Sequence, residues 1–252
     1  MVPTKKNYEQ IIMGCLLTGI HDVNRNTVLQ NDDYSLVKDW ADSITALKLQ
    51  GIIFHNNFSP ETCLNYENEY IHFIKVKHDP SFNPNVYRYF IYKDFLEKNK
   101  DNTKAVFCTD ISDVLVLKNP FVQPLFLSNP NKIFCGDEPK KLNDEWMQEH
   151  ATHLRTLIPD YVEYEETFKE EQLLNCGVIG GNIKIMEEFI ATLTKIHEQY
   201  NHDNQTAFTG DMGAFNYLAR TKYNNSICHG KPINTLFKAF EENNSNCWFK
   251  HK

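Results

Sequence analysis

The alternation of apolar and polar residues divides the first part of the chain into strands and helices. Four short apolar runs have the length of buried strands: residues 11–18, 52–54, 70–76 and 105–108. Two longer stretches between them, residues 34–49 and 86–99, repeat apolar side chains at helical spacing. We expect Gly51 to end the first of these helices. Strands that alternate with helices predict an α/β fold, a three-layer α/β/α sandwich around a mixed, mostly parallel sheet.

The second part of the chain has a less regular pattern. Three prolines interrupt the residues that follow the apolar run at 114–117. Beyond them the pattern predicts a strand at 133–136, short helices within 140–171, an amphipathic helix at 185–200, a helix that starts near Asp211, and a closing strand at 247–252. We find no repeat, low-complexity tract or linker that would divide the chain, so we expect residues 1–252 to form a single domain.

Composition narrows the range of functions. The chain has 252 residues, 41% of them hydrophobic, which is typical of a globular protein with a substantial core. The formal charge of −7 argues against nucleic acid as a partner, because nucleic-acid binding needs clustered lysine and arginine. It does not argue against a phosphorylated ligand, since a bound metal ion can supply positive charge locally.

The cysteines and the apolar runs indicate the cellular compartment in which the protein is expected. The seven cysteines are odd in number and form no Cys-x-x-Cys pair, so we interpret them as reduced thiols rather than as disulfides or a zinc site. We find no secretory signal and no apolar run long enough to span a membrane. We therefore expect a cytoplasmic protein without a transmembrane segment.

Two aspartates interrupt an otherwise apolar stretch. Asp110 and Asp113 lie between the runs at 105–108 and 114–117, where burial of a carboxylate is costly unless it has a partner. A divalent cation with a phosphorylated ligand is one such partner, and a solvated turn is the simpler alternative. Side chains alternate along a strand, so the two carboxylates converge only if the backbone turns at residues 111–112. Otherwise Asp113 binds the metal directly and Asp110 acts through water or a sugar hydroxyl.

The surrounding residues, VFCTDISDVLVLKNPF at 106–121, resemble the metal-binding segment of glycosyltransferases with the GT-A (Rossmann-like) fold. In that family the usual signature is Asp-x-Asp at the end of a strand. The spacing here is Asp-x-x-Asp, which leaves open whether Asp110 binds metal directly. The resemblance extends over nearly the whole chain and is closest to the small enzymes of large DNA viruses that build capsid glycans.

The resemblance implies a set of site residues. It implies that Mn²⁺ or Mg²⁺ is bound by Asp110, Asp113 and His251, with His229 in its His-Gly-Lys-Pro context as the alternative histidine. The nucleotide would be bound by Thr18, Gly19, Arg25, Ser112 and Lys252. The sugar and the acceptor would be bound by Asn175, Gly177, Gly180, Gly181, Asp137 and Glu138.

Asp211 is the catalytic candidate that the resemblance implies. It would be the base of an inverting enzyme, or in a retaining enzyme it would stabilise the oxocarbenium-like centre; the second half of the chain favours retention. The ordinary alternatives stay open: Asp211 as a helix N-cap, His251 as a frayed chain end, the glycine segments as turns, and Asp137 with Glu138 as a solvated turn.

The resemblance thus implies a metal-dependent glycosyltransferase. A sugar would pass from a nucleotide-diphosphate sugar, with a UDP-sugar favoured, to a glycan or a protein-linked glycan acceptor. Residues 1–118 would form the nucleotide-binding half and 119–252 the sugar- and acceptor-binding half. If the protein is viral, it would act in the host cytoplasm. The competing hypotheses are a nucleotidyltransferase that acts on sugar phosphates and a non-catalytic module that binds sugar nucleotides.

Overall fold

The computed structural model describes residues 8–22, 26–202, 210–242 and 245–252. The strands in this part of the chain are β1 (Gln10–Leu16), β2 (His21–Asp22), β3 (Thr27–Val28), β4 (Gln50–His55), β5 (Ile71–Lys75), β6 (Ala105–Thr109), β7 (Val114–Val116), β8 (Ile133–Lys141), β9 (Gln172–Asn182), β10 (Ile227–His229) and β11 (Phe249–His251). The α-helices are α1 (Ser35–Ala46), α2 (Pro60–Tyr66), α3 (Pro84–Asn99), α4 (Pro124–Leu127), α5 (Glu145–His150), α6 (Thr152–Leu157), α7 (Tyr161–Phe168), α8 (Ile183–Tyr200) and α9 (Gly210–Lys222).

Seven strands form one mixed sheet in the order β10-β8-β9-β6-β1-β4-β5. The strands β5, β4, β1 and β6 are mutually parallel, and β8 is parallel to β10. Strand β9 is antiparallel to both of its neighbours, β6 and β8. The predicted mixed, mostly parallel sheet is therefore confirmed, and the four parallel strands direct their carboxyl ends to one edge.

Two apolar layers cover the two faces of this sheet. Alternate residues of β1 show the division, because Ile11 and Met13 belong to one buried cluster and Ile12 to the other. The first cluster includes residues of α3, α8 and α9, and the second includes Val37, Trp40 and Ile44 of α1. Burial on both faces is what a sheet covered by helices requires, and it confirms the predicted three-layer sandwich.

Some predicted boundaries are wrong. Gly51 does not end the first helix; it lies within β4, and α1 already ends at Ala46. The chain leaves the helical path at Lys48, whose φ of +53° is left-handed, so that β4 begins two residues later. The strand predicted at 133–136 continues to Lys141, which places the residues interpreted as a possible turn, Asp137 and Glu138, inside β8. In the part of the chain that the structure describes, no helix has the length and apolar character needed to cross a membrane.

Candidate active site

A bend in the backbone brings Asp110 and Asp113 to one side. Strand β6 ends at Thr109, residues 111–113 form a bend, and β7 starts at Val114. Ile111 is buried in the core at 4% exposure, and the buried Trp40 indole donates a hydrogen bond to the Thr109 hydroxyl at 2.8 Å. Both contacts hold the bend against the sheet. The backbone turn required for the two carboxylates to converge is therefore present.

The closing strand brings a histidine to the same place. Strand β11 pairs antiparallel with β7, so that His251 lies opposite Val114, and the Lys252 amide donates to the Asp113 carbonyl at 2.9 Å. The His251 Nε2 atom lies 3.7 Å from a carboxylate oxygen of Asp110 and 3.9 Å from one of Asp113. With 2% of its surface exposed, His251 is not a frayed chain end.

The three side chains fit a divalent cation. One ligand atom each from Asp110, Asp113 and His251 lies within 4.8 Å of the other two. Carboxylate oxygens with one imidazole nitrogen are ligands that suit Mn²⁺ and Mg²⁺ better than they suit thiolate-seeking metals. The Phe237 ring packs on His251 with 4.4 Å between centroids, which fixes the plane of the imidazole. The donor set and its spacing thus fit a divalent cation, the kind of ion that the sequence predicts.

Strand β9 approaches this cluster closely because of an irregularity in its pairing. Cys135 of β8 lies opposite Ile179, but the next residue, Gly136, lies opposite Asn175, so three residues of β9 bulge out of register. Within the bulge the Gly177 carbonyl accepts a hydrogen bond from the Asp110 amide at 2.8 Å. A Cβ at Gly177 would lie 2.3 Å from His251 and 2.8 Å from Asp110, so only glycine fits here.

Sequence reasoning missed an arginine at the centre of the site. The Arg88 guanidinium, 8% exposed, binds Asp110 Oδ1 through one nitrogen and lies 3.4 Å from Asp211 Oδ2 through another. The Asp110 carboxylate therefore turns one oxygen to Arg88 and the other to His251. Burial opposes the charge of Arg88, but Asp110, Asp211 and the other acidic neighbours together outweigh burial and raise the pKa of the guanidinium. The two acidic groups share one fixed positive charge.

Asp211 lies in the first turn of α9 and is 5% exposed. Besides Arg88 it receives a thiol contact from Cys176 of β9 at 3.7 Å. Burial raises the pKa of its carboxyl group, and Arg88 opposes that shift. Helix α9 is held in place by Asn216, whose side chain bonds both the amide and the carbonyl of Leu174 at 2.9 Å. The position of Asp211 relative to β9 is thus fixed by backbone contacts.

A second carboxylate faces the same space from β8. Glu138 is 8% exposed and accepts a hydrogen bond of 2.5 Å from the side-chain amide of Asn175. The amide oxygen of Asn175 in turn accepts from the Gly177 backbone at 2.7 Å, which fixes the orientation of the amide. Burial raises the pKa of Glu138, and the hydrogen bond from Asn175 opposes the shift.

These groups line one pocket of about 380 Å³. Of the sequence-predicted site residues, the structure brings eight to its wall: Asp110, Ser112, Asp113, Glu138, Asn175, Gly177, Asp211 and His251. Further lining residues that the sequence did not indicate include Cys15, Leu17, Trp146 and Lys238, besides Arg88. Cys15 and Leu17 lie at the end of β1, whereas Arg88, Trp146 and Lys238 lie on three other segments, so no local motif connects the set in the sequence.

Other predicted residues lie elsewhere. Among the described residues, Thr18 and Gly19 do not line the pocket, because Asn56 bonds both the amide and the carbonyl of Thr18 at 2.9 Å. Gly180 and Gly181 lie within β9, where Gly180 makes room for the Phe107 ring. Both glycines therefore serve packing in the sheet rather than a turn.

The remaining candidates pair with groups outside the pocket. His229 bonds Asp137 at 3.0 Å on the edge of the sheet, apart from the Asp110–Asp113–His251 cluster. The Lys252 ammonium lies 2.8 Å from Asp39 of α1. Arg25, predicted to bind the nucleotide, lies outside the described residues.

Comparison with known proteins identifies the fold. No protein-family model matches the sequence, and no curated protein matches it. Among solved structures, the chain is similar to the galactosyltransferase LgtC, solved in complex with donor and acceptor sugar analogs. The TM-score is 0.51 at 15% sequence identity, and the match covers 96% of this chain and 86% of that one. The architecture is therefore the GT-A fold, as the sequence resemblance implied.

Proposed function

We propose that the protein is a metal-dependent glycosyltransferase that moves a sugar from a nucleotide-diphosphate sugar, preferably a UDP-sugar, to a glycan or a protein-linked glycan. The observation that carries the proposal is the Asp110–Asp113–His251 cluster beside the carboxyl end of β6, in a pocket that also holds the buried carboxylate of Asp211. In open α/β sheets this end of the strands is where ligands bind. The fold match to a galactosyltransferase supports the same class of reaction.

Asp110, Asp113 and His251 would hold the metal ion. Bound there, Mn²⁺ or Mg²⁺ would supply Lewis-acid stabilisation of the charge that grows on the leaving diphosphate. Arg88 binds one oxygen of Asp110 and so orients the other toward that position. Asp211 would lie beside the reacting sugar, where its carboxylate orients the donor or supports the anomeric centre.

Lys238 is the lysine that we assign to the diphosphate. It lines the pocket, and among the described residues no carboxylate lies within ion-pair distance of its ammonium group. Lys252, which the sequence suggested for this role, is occupied by Asp39. A flexible ammonium group at the pocket wall can form charge-assisted hydrogen bonds to phosphate oxygens.

For the acceptor side, Trp146 of α5 supports a glycan. Its side chain is 37% exposed and lines the same pocket as Glu138. An exposed aromatic face packs well against the apolar face of a sugar ring, while neighbouring carboxylates and amides bond its hydroxyls. The resemblance to capsid-glycan enzymes makes a viral glycoprotein our proposed source of such an acceptor.

The test is a thermal-shift screen of UDP-, GDP- and CMP-sugars with and without Mn²⁺, followed by release of the labelled sugar. A ligand of the native state raises the melting temperature, so we expect UDP-sugars with Mn²⁺ to give the largest shift. Metal-dependent release of the sugar is expected for the same donor. If no sugar nucleotide shifts the melting temperature with Mn²⁺, the proposal is wrong; nucleotidyl transfer to a sugar phosphate would identify the alternative enzyme class.

A further inference from the structure

Glu138 differs from Asp110 and Asp211, two other carboxylates of the pocket, in its partners. Asp110 and Asp211 both bind the Arg88 guanidinium, whereas no lysine, arginine or histidine of the described chain lies within ion-pair distance of Glu138. Its side chain instead accepts a hydrogen bond from the neutral amide of Asn175, at 2.5 Å. A carboxylate bound to a guanidinium is a weaker base than one bound only to an amide. Glu138 is therefore the better proton acceptor in this pocket.

The position of Glu138 relative to the metal ligands follows from Gly177. A Cβ at Gly177 would meet His251 at 2.3 Å, Asp110 at 2.8 Å and the Asn175 amide oxygen at 2.9 Å, so these three side chains converge on one point. The other end of the same Asn175 amide holds Glu138. The Gly177 amide donates to the Asn175 side-chain oxygen, so the side-chain nitrogen of Asn175 is the atom that donates to Glu138. The side-chain amide of Asn175 therefore lies between the Glu138 carboxylate and the metal cluster.

Building on the proposed glycosyl transfer, we infer that Glu138 is the catalytic base that takes the proton of the attacking hydroxyl, and that transfer therefore inverts the configuration at the anomeric carbon. The oxygen of the acceptor forms the new bond to that carbon while its proton passes to a Glu138 oxygen. The bond from the anomeric carbon to the diphosphate oxygen breaks, and its electron pair leaves with the diphosphate.

Inversion at the anomeric carbon follows from which group accepts the proton of the attacking hydroxyl. When acceptor and leaving group share one face of the sugar, the departing phosphate can take the proton and no protein base is required. A protein carboxylate that serves as the base is needed when the acceptor attacks from the opposite face. Asp211, held by Arg88, is then left to orient the donor. This assignment departs from the retention that the sequence resemblance favours.

The experiment uses water as the acceptor, so that no natural acceptor is needed. The full-length protein is incubated with Mn²⁺ and α-linked UDP-glucose or UDP-galactose, and proton NMR records which anomer of the sugar appears first. We expect the β-anomer. Glu138→Gln keeps the shape of the side chain and an oxygen that can accept the Asn175 hydrogen bond, so it should fold normally and bind UDP as the parent does.

For Glu138→Gln we expect hydrolysis to fall about 10²- to 10⁴-fold, the range of a lost general base. In Glu138→Ala, added azide, an anion that needs no base, should restore turnover and yield the β-glycosyl azide. The matched control is Glu170→Gln, the same exchange at an exposed carboxylate that pairs with Lys141 outside the pocket, and it should retain the parent rate.

The outcomes separate the two proposals. If the α-anomer appears first, or if Glu138→Gln hydrolyses the donor at the parent rate, the assignment of Glu138 is wrong while the glycosyltransferase proposal stands. If azide fails to restore turnover in a folded Glu138→Ala that binds UDP, Glu138 is not the base. If the parent neither binds nor hydrolyses any sugar nucleotide with Mn²⁺, the proposed function itself is overturned, and the assignment of Glu138 with it.

Discussion

At the scale of single residues, Asp113 is the metal-ligand candidate whose removal tests metal binding without disturbing the packing of the core. Its side chain is about 30% exposed and lies outside the two apolar clusters, so its truncation removes little packing. For Asp113→Ala we expect nearly complete loss of metal-dependent transfer with the melting temperature almost unchanged. Circular dichroism and labelled-donor assays measure both. Asp137→Ala serves as the control, and normal activity in a folded Asp113→Ala would remove Asp113 from the metal site.

Lys238 and Lys252 form a matched pair for the phosphate contact. For Lys238→Gln we expect UDP to bind several-fold more weakly, about 1 kcal/mol for a partly exposed charge-assisted contact, while uridine binds as before. Lys252→Gln, which loses only the contact to Asp39, should bind both ligands as the parent does. Isothermal titration with Mn²⁺ present measures the difference. Equal loss for UDP and uridine would mean that Lys238 acts on the fold rather than on phosphate.

At the scale of elements, the bulge of β9 controls the site. For Gly177→Ala we expect loss of Mn²⁺ binding and of transfer, because the new methyl group would lie 2.3 Å from the His251 ring. Gly180→Ala, on the same strand, would instead press against the Phe107 ring and destabilise the sheet by about 1 to 3 kcal/mol, the usual cost of overpacking. Manganese titration and urea unfolding distinguish the two. Parent-like Mn²⁺ affinity in Gly177→Ala would contradict this account of the bulge.

The same elements explain which site residues could be predicted from the sequence. Asp110 and Asp113 interrupt an apolar stretch, so the local pattern predicted them at a strand end, while His251 was implied by the family resemblance. The pairing of β11 with β7 brings His251 to the two aspartates. Arg88 could not be found this way, since an arginine within a helix is usually exposed, and its burial depends on two carboxylates from distant elements. The long strand β9 was also missed, because Gly177 and Gly180 resemble turn residues until the close approach of their neighbours is known.

At the scale of the whole molecule, buried histidines should make stability depend on pH. Burial lowers the pKa of His197 to about 3 and that of His55 to about 4, from an ordinary value of 6.5. The unfolded chain therefore binds protons that the folded chain excludes once the pH falls below 6.5. The free energy of unfolding contributed by these residues is fully present above pH 6.5 and decreases toward pH 4 and below.

His197→Gln tests this dependence. Well below pH 6.5, the free energy of unfolding of the parent should fall with each pH unit by up to about 1.4 kcal/mol more than that of the variant, because one pH unit of differential protonation is equivalent to that free energy. Urea unfolding from pH 8 to pH 5 gives the difference between the two curves. The curves should be parallel above pH 7 and diverge below pH 6; parallel curves throughout would show that His197 titrates normally.

The guanidinium shared by Asp110 and Asp211 has a thermodynamic consequence. Asp110 contacts Arg88 with one oxygen and faces the metal cluster with the other. A cation bound at the cluster therefore changes the interaction of Asp110 with Arg88, and with it the interaction of Arg88 with Asp211. The affinities for the ion and for the sugar are then linked, and such linkage is reciprocal. We expect Mn²⁺ to bind more tightly when the donor is present, by the same factor as Mn²⁺ tightens the donor. Arg88 thereby makes one cooperative unit of two carboxylates that lie 101 positions apart in the sequence.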